Sequence, residues 1–137
     1  MRWRIWPISN DARRLPPHVK ALLYFPGLDL DAVRILDGIP PYVLMNADAY
    51  TDRHKLYFAP GKYDAETPEG IALIGHEVTH YRQYCSYGTW RFRAAYGGCW
   101  AREMIARRSW EHAYFWNPFE VEARAMERRI YEDLLQD

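Results

Sequence analysis

The sequence predicts an α+β fold in which a small sheet, antiparallel or mixed, packs on one central helix and further helices follow. Two observations predict it. Three short apolar runs bounded by Pro or Gly come first, and longer segments with helix start signals fill the remainder, an order of strands then helices.

Each element has a local reason. After Pro16-Pro17, residues His18 to Phe25 read as a short helix, with Val19, Leu22 and Leu23 on one face and Pro26-Gly27 ending it. Val33-Arg-Ile-Leu36 reads as a strand closed by Asp37-Gly38. Tyr42 to Asn46 reads as a second strand, because Pro40-Pro41 disfavours helix before it. Lys55 to Ala59 is the third, bounded by Pro60-Gly61. Thr67 as N-cap, Pro68 at the first helical position and Glu69 in the positive first turn start a helix that runs to about Tyr84. Ile71, Leu73, Ile74 and Val78 supply its apolar contacts. Two more helices are expected, Trp90 to about Trp110, with Gly97-Gly98 as a candidate interruption, and Pro118 to Leu135 capped by Asn117.

With 137 residues and neither repeats nor a Pro/Gly-rich linker, the chain reads as one domain, 1–137, able to bury a core without disulfides. Lys plus Arg (18) balances Asp plus Glu (18), so no overall field draws it to nucleic acid or an acidic membrane, and no nucleic-acid partner is expected. Cys85 and Cys99 lack metal-binding spacing and read first as two free core thiols, with a single bridge as the alternative. The N-terminus shows no signal-peptide pattern and no window is a membrane span, so the expected location is cytoplasmic by default, or reached through a dedicated export machine. Arginines and aromatics interleave from Trp90 to Trp116. The simplest reading is an amphipathic helix with a solvated Arg face covering the core.

Residues 76 to 80 read His-Glu-Val-Thr-His. Positions i and i+4 share one helix face, so His76 and His80 can bind one Zn²⁺. Glu77, about a hundred degrees round the helix from His76, is placed as a general base for metal-bound water. A catalytic zinc takes three protein ligands and keeps one position open, and no third His follows His80 at the spacing some such enzymes use. The third ligand is therefore expected to be a carboxylate. Glu120 and Glu122 both open the last helix; by spacing alone Glu120 equally suits a capping box with Asn117, and Glu122 is its rival as ligand.

Together these residues resemble the gluzincin clan of HExxH metallopeptidases, which complete the zinc site with a Glu from a later helix. The closest resemblance is to the domain-of-unknown-function family that forms a metallopeptidase-like core domain of extracellular contractile injection systems. It rests on Val33-Arg34, Leu56-Tyr-Phe-Ala-Pro-Gly-Lys-Tyr-Asp64, Thr67-Pro-Glu-Gly70, Leu73-Ile-Gly-His-Glu-Val-Thr-His-Tyr-Arg-Gln83 and Asn117-Pro-Phe-Glu-Val-Glu-Ala123. The resemblance implies a zincin-like fold, Glu120 as the third ligand, and the strand Leu56–Ala59 as a cleft edge to which an extended peptide pairs. Related families place Asp or Asn after the Glu-x-x-Ala; here Arg124 stands there, leaving the group that would orient a ligand histidine unassigned. Tyr81, His112 and Tyr114 are candidate oxyanion donors, whereas His18 and His54 read as surface or loop histidines.

The expected function is zinc-dependent hydrolysis of a peptide bond in a peptide or protein substrate, with His76, His80 and Glu120 as ligands and Glu77 as base. The competing expectation is a zinc-bearing, non-catalytic scaffold within a larger assembly. Oligomeric state is not legible.

Overall fold

The structure, a computed structural model, describes residues 13–43 and 47–136. Its elements run α1 (Pro17–Leu22), a 3-10 turn (Leu30–Ala32), β1 (Arg34–Asp37), β2 (Ala49–Asp52), β3 (Lys55–Phe58), α2 (Pro68–Tyr87), α3 (Thr89–Arg107), α4 (Trp110–Trp116) and α5 (Pro118–Leu135). The fold is α+β, a small mixed sheet packed against α2 with helices following.

The sheet has strand order β1-β3-β2, with β3 parallel to β1 and antiparallel to β2. This corrects two expectations. The second strand along the chain is Ala49–Asp52: Tyr42 and Val43 lie in no strand, and residues 44–46 fall outside the described residues. The segment Leu56–Ala59 is no cleft edge either, because β3 is central and bonded on both sides. Among the described residues β2 is the outer strand on one side, while Arg13 bridges to Ile35 of β1 on the other. Arg53, in the left-handed region at φ 58°, turns β2 into β3 without the Asn-Gly or Asp-Gly that would have announced a hairpin.

Leu56 and Phe58 of β3, Ile35 of β1 and Val33 meet Ile71, Ile74 and Val78 of α2 in the core. Val19 of α1 and Leu23, the residue that caps its end, join them while Leu22 is exposed, so the buried pair is spaced i, i+4. Thirteen of the twenty residues of α2 are buried, His76, Glu77 and His80 among them, so the motif lies inside the protein and not on a solvated face. Thr67 caps this helix as expected, its hydroxyl accepting from the Gly70 amide at 3.1 Å.

α5 lies along α2, and Gly75 sets their approach. A methyl at Gly75 would meet the Ile130 side chain, so its absence lets the helices close and carries the start of α5 to His76 and His80. α3 is not interrupted at Gly97-Gly98 and ends at Arg107, with Arg108 left-handed at φ 55° and a separate helix, α4, beyond it. Nor does α3 cover the core with a broad apolar face. Phe92 is its one buried residue, and Trp90 and Ile105 are more than three-quarters exposed. No helix among the described residues is long and apolar enough to cross a membrane.

Candidate metal centre

His76 and His80, one turn apart on α2, aim both Nε2 atoms at one oxygen of Glu120, each at 3.1 Å. These three donor atoms form a buried group that could hold a metal ion. Donors at the vertices of a tetrahedron around zinc, bonded at about 2.0–2.1 Å, stand about 3.3 Å apart. The two His–Glu separations are close to that spacing, so the residues fit such an ion.

The outer nitrogens are held as well. His76 Nδ1 lies 2.7 Å from a carboxylate oxygen of Glu127, and His80 Nδ1 lies 2.8 Å from the amide oxygen of Gln83. The Gln83 amide is oriented in turn by donating to the Phe119 carbonyl and to Glu122, both at 3.0 Å. Since Glu127 and the Gln83 oxygen can only accept, both Nδ1 atoms carry hydrogens, and in neutral rings the Nε2 lone pairs point inward. Two lone pairs and a carboxylate meeting at one point require positive charge, from imidazolium protons or from a metal cation. The electrostatics agree. Burial opposes a charge on His76, yet its bonds to Glu120 and Glu127 outweigh burial and raise its pKa to about 10. Burial likewise opposes ionisation of Glu120, but His80 and His76 hold its carboxyl well below the usual range.

Glu77 is 4% exposed, with one carboxylate oxygen 3.8 Å from His76 Nε2. Its other oxygen accepts from the Thr51 hydroxyl at 2.9 Å. Burial raises the Glu77 pKa, the nearby histidines acting against it.

Expectation and structure part at several residues. Glu120 does not fold back on Asn117: the Asn117 side chain accepts from Phe119 N and donates to the Tyr96 carbonyl, leaving Glu120 free for the histidines. Glu122 is exposed at the rim, paired with Arg82 and Gln83. Tyr96, which nothing in the sequence singled out, donates its hydroxyl to the second oxygen of Glu120 at 2.7 Å. Tyr114 also lies against Glu120; burial and then that carboxylate hold both tyrosine hydroxyls protonated. Tyr81 is committed elsewhere, donating to the Asp29 carbonyl, and His112 is exposed. Arg124 reaches away to the Phe115 carbonyl and ring, so the orienting role left open at that position falls to Glu127. Cys85 and Cys99 are free, exposed and half-buried respectively, not core thiols.

A model of the eCIS core domain matches residues 18–87, just over half of the chain. The chain belongs to the eCIS core domain family. No curated protein and no solved structure gives a significant match. The eCIS core match takes in α1, the sheet and α2, and it ends at the last residue of α2. His76, Glu77 and His80 thus lie within the family's span, while Glu120, Glu127, Tyr96 and Tyr114 lie beyond it.

Proposed function

We propose that this eCIS core domain, residues 1–137 acting as one unit, is a zinc-dependent peptidase. His76, His80 and Glu120 hold the metal, and Glu77 is the general base. The observation that carries the reading is the meeting of His76 Nε2, His80 Nε2 and Glu120 Oε1 at 3.1 Å with a Glu77 oxygen 3.8 Å from His76 Nε2.

A zinc ion bound there would supply Lewis acidity, bringing water within reach of deprotonation near neutral pH and polarising a substrate carbonyl. The chain's own groups do the rest. Thr51 fixes one oxygen of Glu77, so the other is the one that takes the proton and returns it to the departing amine. Burial raises the affinity of Glu77 for that proton, which suits a base that must also give it back. Tyr96 and Glu127 position the ligands. Tyr114, held protonated beside Glu120, donates to the oxygen that gains negative charge. The outer edge of β2 offers backbone groups to an extended peptide beside Glu77.

The test compares wild type with Glu77→Gln against a degenerate peptide library. Equal metal content with hydrolysis lost only in the variant supports the proposal; a metal-loaded wild type as inert as the variant overturns it. A second reading, a zinc-bearing scaffold within a larger assembly, draws on the burial of His76, Glu77, His80 and Glu120, all below one-tenth exposed. That reading requires chelation to unfold the protein while no peptide is cleaved with metal present.

A further inference from the structure

A cavity of about 500 Å³ opens at the end of the sheet where β2 turns into β3. Its wall includes Arg34 at the start of β1, Arg53 and His54 of the turn, Tyr81 and Tyr84 of α2, and Thr89 at the start of α3. Two routes connect it to Glu77. Along β2, Thr51 bonds Glu77 and stands two residues before Arg53, a span of about 7 Å in extended chain. Along α2, Tyr84 follows Glu77 by two turns on the same face, about 10 Å further on. A peptide laid along β2 with its scissile bond at Glu77 therefore brings a side chain two or three residues away into this cavity.

The cavity carries surplus positive charge. Arg34 donates to the carbonyls of Asp31 and Val33 at 2.7 and 3.0 Å and is in no ion pair among the described residues. Arg53 bonds Asp52 at 3.2 Å, but Asp52 also receives Arg93 at 2.7 Å, so one carboxylate serves two guanidinium groups. Burial, and after it the cations Lys55, Arg53 and Arg34, hold the His54 pKa below its ordinary value. Tyrosine walls next to two guanidinium groups concentrate the field on whatever enters.

We propose that this cavity is a specificity pocket for a peptide carboxylate and that acidic peptides are the substrate class. The word substrate rests on the peptidase reading above; carboxylate recognition does not. A carboxylate, from an Asp or Glu side chain or from a chain terminus, suits guanidinium groups that accept it in paired hydrogen bonds.

The test uses labelled octapeptides of Ser, Gly and Ala in which one Glu or Gln is scanned through the positions, each made with an amide and with a free carboxyl terminus. Binding is read by fluorescence anisotropy with the metal-loaded Glu77→Gln protein, alone and combined with Arg34→Gln or Arg53→Gln. Supporting the pocket, Glu at one register, or the free terminus, binds about tenfold tighter than its neutral counterpart, and each Arg variant erases that preference while metal content and neutral-peptide affinity hold. The two peptide series tell side chain from terminus. Equal binding of acidic and neutral peptides overturns the proposal, as does a preference that survives in both Arg variants, or no binding at all. Wild type cleaving peptides without regard to charge sinks the pocket and spares the peptidase. An Arg-dependent preference in a protein that cleaves nothing sinks the peptidase and spares the pocket.

Discussion

His76 Nδ1 and a carboxylate oxygen of Glu127 stand 2.7 Å apart across 51 residues of sequence. Glu127 follows Glu120 by two turns of α5, on the same face, so one helix supplies both an oxygen for the candidate metal and the group that orients a ligand ring. Losing such an orienting partner weakens metal binding about 10- to 100-fold. Glu127→Ala is expected to fall in that range by competition with a chelator, Glu120→Ala to lose more, and Glu122→Ala to stay within about twofold of wild type because Glu122 accepts from Gln83 and Arg82 and bonds neither His76 nor His80. Similar losses from Glu122→Ala and Glu120→Ala would refute this assignment.

Tyr114 and Tyr96 both lie against Glu120, and removing their hydroxyls is expected to have different effects. On the peptidase proposal Tyr114→Phe takes away the donor to the developing charge, so kcat is expected to fall about a hundredfold with KM nearly unchanged. Tyr96→Phe instead frees the second oxygen of Glu120 and shows first as weaker metal retention. Steady-state kinetics alongside metal analysis separates the two, and identical behaviour would remove the distinction drawn between them.

The contrast between α5 and β2 shows what the sequence made legible. Asn117-Pro118 is a strong start signal, and α5 spans Pro118–Leu135 as read. The motif on α2 was legible because its i, i+4 spacing is helical geometry. Ala49-Tyr-Thr-Asp52 carried no such sign: an edge strand needs few apolar residues, and Thr51 is buried for its bond to Glu77 and not for hydrophobicity. Gln83 and Glu127 follow a ligand by three and seven residues, ordinary helical neighbours whose roles appear only when α2 and α5 are seen together. Tyr96 comes from a helix whose approach to Glu120 depends on Asn117 bonding the Tyr96 carbonyl, a contact that no local pattern encodes.

The start of α2 has little room. A methyl at Gly70 would collide with the Asp64 carbonyl oxygen, a backbone atom that cannot swing aside, so Gly70→Ala is expected to cost about 2 kcal/mol or more in denaturant unfolding. Asp64 holds this corner through bonds from the Glu66 amide at 2.8 Å and the Thr67 hydroxyl at 2.9 Å, which lower its pKa beneath the ordinary 3.8. A depressed carboxyl contributes stability above its unfolded pKa and loses it as pH falls through the folded one. Wild type should therefore exceed Asp64→Ala in stability at neutral pH and converge with it in strong acid. A gap unchanged at low pH would show that the charge is not what matters.

Gly75 and Ile130 are expected to be coupled. The added methyl of Gly75→Ala meets the terminal carbon of Ile130, whereas the branch carbon nearer the backbone lies 3.6 Å away, an ordinary contact. Overpacking of this kind costs about 1–3 kcal/mol. Ile130→Val alone removes one buried methyl and costs about 0.5–1.5 kcal/mol. In combination the offending carbon is gone, so Gly75→Ala/Ile130→Val should be more stable than the sum of the single losses requires, by more than the roughly 0.5 kcal/mol scatter of independent sites. Metal affinity should follow stability, because the same approach of α5 to α2 brings Glu120 and Glu127 to the histidines. Strict additivity in urea, or a Gly75→Ala protein with wild-type stability and metal content, would mean that the helices are not held apart or together at this point.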